Sequence, residues 1–211
     1  MKHKSVIELP EIIDAAGRKV LLHSCCAPCS SAILEFLLQN DIKPTVFYSN
    51  SNIFPLAEYE HRRDEIRNYL IKLGIPFIED SYDHAQWLDH VKGLENQPER
   101  GSRCLECFKF RLHRVACYAQ EHDFSIIATT LASSRWKSLD QIIEAGTWAV
   151  HAVSANTNLV FWAQNWRKGG LQDRRNALLK ENGFYNQQYC GCEFSRGVME
   201  KDKVAEKDKT F

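Results

Sequence analysis

The alternation of short apolar segments with longer amphipathic ones is the feature that most constrains the fold of this chain. Five segments have the apolar, β-branched or aromatic composition of strands, at residues 19–24, 45–49, 75–78, 125–129 and 158–161. Helical spacing of apolar residues fills the intervals, at residues 31–39, 55–73, 83–91, 104–121 and 139–150. Strands that alternate with helices over short connections form a parallel sheet covered on both faces. The sequence therefore predicts an α/β fold.

Length and composition predict a single globular unit. With 211 residues, of which 44% are hydrophobic and 26% charged, the chain can bury a core without covalent cross-links. We assign residues 19–195 to an α/β catalytic domain, residues 1–18 to an N-terminal extension, and residues 196–211 to a charged tail expected to be disordered. No apolar run approaches the roughly 20 residues that span a membrane, and residues 1–16 lack the apolar stretch of a signal peptide. We therefore expect a cytoplasmic protein without membrane contact.

Seven of the eight cysteines are grouped along the chain. The groups are Cys25, Cys26 and Cys29; Cys104 and Cys107; and Cys190 and Cys192. Grouped cysteines in a reducing cytosol are more often metal ligands or redox catalysts than structural disulfides. Cys117 stands alone within a helical segment, and we interpret it as an inert helical residue.

The first two cysteine groups can supply four thiolates to one metal centre. Cys26 and Cys29 follow the first strand, at the edge of a parallel sheet where ligands bind. Cys104 and Cys107 are three residues apart, so both sulfurs project from one face of a helix start, where the helix dipole is expected to lower thiol pKa values. Zinc and a four-iron cluster both accept four cysteines, and the spacing leaves both open. The adjacent pair Cys25-Cys26 suits a cluster with separate irons better than a single ion.

The third group, Cys190-Gly191-Cys192, predicts redox chemistry. A disulfide between residues two apart closes a small strained ring, which the glycine permits. Strained disulfides have raised reduction potentials and tend to be catalytic or labile. Two unpaired thiols, or two further metal ligands, are the alternatives, and we favour the redox interpretation.

Two basic and aromatic stretches are candidates for RNA contact. The net charge is zero, so RNA binding would require a local basic surface. Arg135, Trp136 and Lys137 form one such stretch, and residues 162–180 mix tryptophans with arginines and lysines. Such a surface could pair with phosphates and stack on bases. A solvated helix face with core tryptophans is the competing interpretation.

Five blocks of sequence are specific in combination. They are LLHSCCAPCS (21–30), YSNSNIFPLAEYEHRRDE (48–65), GSRCLECFKFRL (101–112), ATTLASSRWKSLDQI (128–142) and YNQQYCGCEFS (185–195). With these blocks in this order, residues 19–195 resemble the QueH type of epoxyqueuosine reductase, a family of queuosine biosynthesis. The resemblance implies an adenine nucleotide hydrolase-like fold of the HUP and PP-loop group, with a C-terminal helical extension.

The resemblance also implies an activity and its participants. The family reduces the epoxide of epoxyqueuosine to queuosine at the wobble position of tRNAs for Asp, Asn, His and Tyr, the last step of queuosine biosynthesis. It does so without cobalamin, and the sequence does not identify the electron donor. The loop at residues 24–29 carries cysteines where PP-loop enzymes carry glycines that bind phosphate, so we expect no dependence on ATP.

Site residues follow from the matching motifs. Cys25, Cys26, Cys104 and Cys107 are the expected ligands of a [4Fe-4S] cluster. Cys190 and Cys192 are the expected redox-active disulfide, and Cys29 is the candidate ligand of an additional mononuclear iron.

The proton donor and two alternative functions stay open at this point. His23, Tyr59 and Tyr189 lie near the motifs and are candidate proton donors, with a packed core histidine as the competing interpretation of His23. The alternative functions are a zinc-stabilised RNA-binding module without enzymatic activity, and a tRNA-thiolating enzyme similar to PP-loop proteins.

Overall fold

A parallel five-stranded sheet forms the centre of the molecule. The computed structural model describes Ile7, Leu9, residues 19–153 and residues 158–195. The strands are β1 (Val20–His23), β2 (Thr45–Tyr48), β3 (Phe77–Glu79), β4 (Ile126–Thr129) and β5 (Val160–Phe161). All neighbouring strands are parallel, in the order β3-β2-β1-β4-β5. Every residue of β1 and β4 is buried, as expected of central strands covered on both faces.

Six α-helices of the described part of the chain surround the sheet. They are α1 (Ala27–Gln39), α2 (Leu56–Leu73), α3 (His84–His90), α4 (Ser102–Glu121), α5 (Leu139–Val153) and α6 (Leu171–Glu181). Helix α1 packs against α2 and α6, whereas α4 packs against α3 and α5. Because crossovers between parallel strands are right-handed, these two groups lie on opposite faces of the sheet. The predicted α/β class is confirmed, and α6 is the expected helix near the C-terminal end of the domain.

Two of the differences from the predicted boundaries, at α1 and at β3, have a clear physical reason. Helix α1 begins at Ala27, not at residue 31, because Pro28 occupies the first turn, where its missing N–H is not needed. Strand β3 begins two residues later than predicted. Gly74 ends α2 at φ 63°, and Ile75 donates its N–H to the Leu70 carbonyl, so Ile75 completes the helix end.

The carboxyl ends of β1 and β4 form the topological switch point of the sheet. The chain leaves β1 towards β2 on one side and leaves β4 towards β5 on the other. A crevice opens between the two outgoing connections, and open α/β sheets bind their ligands there. In this protein Cys25 follows β1, and Thr130 begins a short 3₁₀ turn (Thr130–Ser133) after β4.

The remaining predictions about chain organisation are tested only in part. Within residues 19–153 and 158–195, each helix is too short or too polar to cross a bilayer. Ile7 is buried in the core cluster, so this residue of the N-terminal extension packs on the domain. The rest of that extension, except Leu9, and the charged tail at residues 196–211 lie outside the described residues.

Candidate active site

Three cysteines converge at the switch point. Cys26 occupies the N-cap position of α1, and Cys29 lies in the first turn of this helix. Cys25 precedes both in the connection from β1. The three Sγ atoms lie within 4.8 Å of one another, and all three residues are buried. Thr130 joins them to the β4 side, because its Oγ1 accepts from the Cys25 backbone N–H at 3.2 Å and donates to Cys25 Sγ at 3.5 Å.

One thiol of this group is poised as a thiolate. The thiols of Cys26 and Cys29 donate towards Cys25 Sγ, which holds the pKa of Cys25 well below its usual range despite burial. The same interactions raise the pKa values of Cys26 and Cys29, because each thiol loses its hydrogen bond to Cys25 when it is deprotonated. Of the three thiols, Cys25 therefore ionises most readily.

A small cavity of ≈ 30 Å³ lies over these sulfurs. Its lining comprises Cys25, Cys26, Cys29, Ile53, Arg62, Arg111, Lys137, Gln187, Tyr189 and Cys190. Three of these side chains are cationic, and none is a carboxylate. Burial lowers the pKa of Lys137, but the charges of Cys190, Cys25 and Cys29 outweigh this effect, so its pKa is raised and the ammonium stays protonated. The cavity is therefore suited to an anionic or electron-rich ligand.

The turn that carries Cys190 is held by two residues, Arg62 and Phe54. Arg62 donates through Nη2 to the Tyr189 carbonyl and through Nη1 to the Cys190 carbonyl, each at 3.2 Å. The Phe54 N–H donates to the Gly191 carbonyl at 2.8 Å, and the Tyr189 hydroxyl donates to the Phe54 carbonyl at 2.7 Å. Cys190 thereby lines the cavity, while Cys192 is buried beside it.

The remaining predicted ligands, Cys104 and Cys107, lie within electrostatic range of Cys190. Cys104 and Cys107 occupy the start of α4, as predicted, and both interact electrostatically with Cys190. Cys107 packs with Cys192, Trp87 and other apolar residues in a small separate cluster. Among the described residues, the sulfurs of α4 do not join the group of atoms within 4.8 Å that Cys25, Cys26 and Cys29 form.

The expectation that the helix start lowers the α4 thiol pKa values is wrong. Burial raises the pKa of Cys104 to about 11 and also raises that of Cys107, in spite of the nearby Arg111. Burial likewise raises the pKa of Cys192 to about 12. The low polarity around these sulfurs therefore outweighs the helix dipole. All eight cysteines are free thiols in the structure.

The sulfur donors fit a thiolate-bound metal centre. Three buried Sγ atoms within 4.8 Å of one another, with one already favouring the thiolate, match the donor chemistry of zinc and of iron–sulfur clusters. Cys190 connects this group electrostatically with Cys104 and Cys107.

The structure separates the three candidate proton donors. His23 is fully buried, with Nδ1 2.8 Å from Thr129 Oγ1 and Nε2 3.0 Å from the Ser49 carbonyl, which favours the core-histidine interpretation. The buried Tyr59 donates to Glu79 Oε1 at 3.2 Å, and burial raises its pKa. Its proton is therefore held in the hydrogen bond to Glu79 and is hard to release. Tyr189 alone among the three lines the cavity.

The two stretches considered for RNA contact differ in exposure. Trp162 and Trp166 are buried in the core, so the competing interpretation applies to these tryptophans. Arg174 of α6 pairs with Glu35 and Glu181. By contrast, Trp136 is 68% exposed beside the cavity-lining Lys137.

Sequence reasoning missed several residues of the cavity. Arg62 and Arg111 sit in the middle of helices α2 and α4, where a lone arginine gives no signal of burial. Thr130 and Lys137 follow β4, so their place after a central strand could have identified them as residues of the ligand-binding edge. The sequence pattern instead places Lys137 with Arg135 and Trp136 in a stretch predicted to contact RNA.

Comparison with known proteins gives one consistent family. A family model described as Epoxyqueuosine reductase QueH matches residues 20–197. The protein named Epoxyqueuosine reductase QueH from Acinetobacter baylyi is 41% identical over 194 residues, covering 92% of this chain and 86% of that protein. The protein of the same name from Haemophilus influenzae is 42% identical over 189 residues, covering 90% of this chain and 74% of that protein. A solved structure described as a predicted subunit of tRNA methyltransferase from Methanocaldococcus jannaschii aligns with a TM-score of 0.48 and 14% identity, over 80% of this chain and 93% of its own.

Proposed function

The chain belongs to the epoxyqueuosine reductase QueH family and reduces epoxyqueuosine to queuosine, and we propose that this reaction takes place at the mouth of the cavity that Cys25, Lys137 and Cys190 line. The observation that supports this location is the position of Cys190. It lies in one cavity with Cys25, Cys26 and Cys29 and interacts electrostatically with Cys104 and Cys107. The alternative functions, a zinc-stabilised binding module and a thiolating enzyme, do not agree with the family.

The thiols of both helix starts are the proposed ligands of the metal centre. Cys25, Cys26, Cys104 and Cys107 would hold a [4Fe-4S] cluster, and Cys29 would contribute to an additional mononuclear iron. Such a centre supplies electrons one at a time and a Lewis acid for oxygen, so no cobalamin is required.

The electron balance of the reaction assigns a role to Cys190 and Cys192. Conversion of an epoxide to an alkene takes up two electrons and two protons and releases one water. Oxidation of two thiols to one disulfide releases two electrons and two protons. The dithiol of Cys190 and Cys192 therefore balances one turnover, and an external reductant must return the disulfide to the dithiol before the next.

The cationic side chains of the cavity support the departure of oxygen. Breaking the two C–O bonds of the epoxide develops negative charge on the oxygen atom. The ammonium of Lys137 can donate a hydrogen bond to that oxygen at the cavity, an interaction that is stronger where water is excluded. Tyr189 also lines the cavity, and its hydroxyl would have to leave the Phe54 carbonyl in order to donate its proton to the substrate.

The substrate we propose is epoxyqueuosine at the wobble position of cytoplasmic tRNAs for Asp, Asn, His and Tyr. The absence of carboxylates among the cavity-lining residues and the exposed Trp136 beside it support a nucleic-acid substrate. A cytoplasmic location agrees with the proposed chemistry, which requires reduced thiols.

An anaerobic turnover assay tests the proposed function. The reconstituted protein is incubated with tRNA carrying epoxyqueuosine and a chemical reductant, and the nucleosides are analysed by mass. We expect repeated conversion to queuosine by the natural chain and by the control variant Cys117→Ser. Cys190→Ser should keep the visible absorbance of the cluster but lose multiple turnover. Loss of that absorbance in Cys190→Ser would show that Cys190 is a ligand of the cluster. Absence of queuosine with the natural chain would refute the proposal.

A further inference from the structure

Two exposed aromatic side chains flank the cavity on opposite connections. Trp136 is 68% exposed and directly precedes the cavity-lining Lys137 in the connection after β4. Phe54 is 38% exposed and directly follows the cavity-lining Ile53 in the connection after β2. On each of these two connections, an exposed aromatic residue is therefore the immediate chain neighbour of a cavity-lining residue.

The backbone that carries Trp136 is fixed. Arg100 donates through Nε to the Trp136 carbonyl at 3.0 Å and through Nη2 to the Arg135 carbonyl at 2.9 Å. Arg167 donates through Nη2 to the Lys137 carbonyl at 2.8 Å. Three guanidinium hydrogen bonds thus hold consecutive residues of this connection, so the exposed indole is presented by a rigid support.

The support of the second ring is also ordered. The Phe54 ring stacks on the His84 ring, with centroids 5.2 Å apart and planes at 22°. His84 is held in turn by the Ser51 carbonyl, 2.7 Å from its Nδ1, and by Glu193, 3.0 Å from its Nε2.

The charge around these rings favours an anionic partner. The guanidinium of Arg135 lies 5.2 Å from the centroid of the Trp136 ring. Arg62, Arg111 and Lys137 line the cavity behind it, without a carboxylate among the lining residues. Exposed aromatic rings next to cationic groups are the elements with which proteins bind single-stranded nucleic acid.

We propose that Trp136 and Arg135 form a stacking platform for the nucleotide next to the reactive nucleoside, and that Phe54 contacts the neighbour on the other side. This inference rests on the proposed tRNA substrate. A nucleoside that approaches the cavity from within a strand keeps both of its neighbours, and these lie against the surface around the cavity. Once the reactive base has left the stack, each neighbour loses a stacking partner, which an aromatic ring can replace.

Binding of an anticodon stem-loop RNA with guanosine at the wobble position tests the platform. Affinities of the reconstituted protein are measured by fluorescence anisotropy of the labelled RNA. Trp136→Ala should weaken binding about 5- to 150-fold, the range expected for one base stacked on an aromatic ring, and should raise KM for the modified RNA. Trp136→Phe should recover most of the loss. Arg135→Gln should make the fall of log affinity with log salt shallower, reducing the magnitude of its slope by about 0.7.

Trp148→Ala is the matched control, because Trp148 is also exposed, at 41%, but lies on α5 and not among the cavity-lining residues. It should bind the stem-loop within twofold of the natural chain. Equal binding by Trp136→Ala and Trp148→Ala would overturn the inference, as would an equal loss on a blunt RNA duplex. Turnover of modified tRNA by the natural chain is scored separately, so failure of the platform is distinguishable from failure of the proposed function.

Discussion

His23 shows how a single buried side chain holds the strands behind the cavity together. The Ser49 carbonyl can only accept, so Nε2 of His23 carries the proton and Nδ1 accepts from the Thr129 hydroxyl. These bonds connect the end of β1 with the ends of β2 and β4. Burial, with the nearby charge of Arg111, lowers the pKa of His23 from 6.5 to about 3. The neutral ring is therefore a structural element of the folded state.

This depressed pKa predicts a pH dependence of stability in the metal-free protein. Above pH 6.5 His23 is neutral in both states, and its full contribution is present. Below pH 6.5 the unfolded chain binds a proton that the folded chain takes up only near pH 3. The free energy of unfolding should therefore fall, by up to about 1.4 kcal/mol per pH unit from this residue. Urea unfolding at pH 7 and pH 5 should show a smaller fall for His23→Gln, and an identical fall would contradict this assignment.

Gly191 is required by the turn between Cys190 and Cys192. Its φ is 105°, and a Cβ there would lie 2.8 Å from Ile53 Cγ1 and 3.1 Å from Arg62 Nη1. Gly191→Ala should therefore destabilise the protein by about 2–4 kcal/mol through strain and overlap. Gly183 is the matched control, since its φ is 63° and a Cβ there meets nothing within 4 Å. Gly183→Ala should cost only about 1 kcal/mol in urea unfolding, and equal losses would refute the steric account.

At the scale of elements, helix α2 positions the redox turn through Arg62. This buried side chain donates through Nε to Glu58 at 2.7 Å and through its other two nitrogens to the carbonyls of Tyr189 and Cys190. Lysine carries one compact ammonium and cannot replace three donors in a planar fork.

Arg62→Lys should therefore loosen the turn. We expect a loss of about 1–3 kcal/mol in the free energy of unfolding and faster alkylation of Cys190, followed by mass spectrometry of peptides. Arg63→Lys is the control on the same helix, because Arg63 makes exposed ion pairs with Asp64 and Glu79 and should change stability by less than about 0.5 kcal/mol. Unchanged alkylation in Arg62→Lys would show that the turn does not depend on this residue.

Prediction of the elements from sequence succeeded where a local pattern decides the structure. All five strands and five of the helices were placed, because hydrophobic periodicity is a property of neighbouring residues. Helix α6 was expected only as an unplaced helical extension. The start of β3 was misplaced because the end of α2 takes up Ile75 through a hydrogen bond, and that competition is not visible in a run of apolar residues.

At the scale of the whole molecule, the site combines predictable and unpredictable parts. The convergence of Cys25, Cys26 and Cys29 at the sheet edge follows from their place after the first strand. The position of Cys190 over them does not, because it depends on contacts of Arg62 and Phe54 with a segment more than 120 residues away. Long-range contacts of this kind leave no local pattern.

The metal content of cysteine variants tests the central claim most directly. If the thiols of both helix starts hold one [4Fe-4S] cluster beside the additional iron, anaerobic reconstitution of the natural chain and of Cys117→Ser should give about five iron and about four acid-labile sulfide per chain. Cys104→Ser should lose most of both, although Cys104 lies outside the group formed by Cys25, Cys26 and Cys29. Full iron and sulfide in Cys104→Ser, or a colourless natural chain that binds only zinc, would contradict the account.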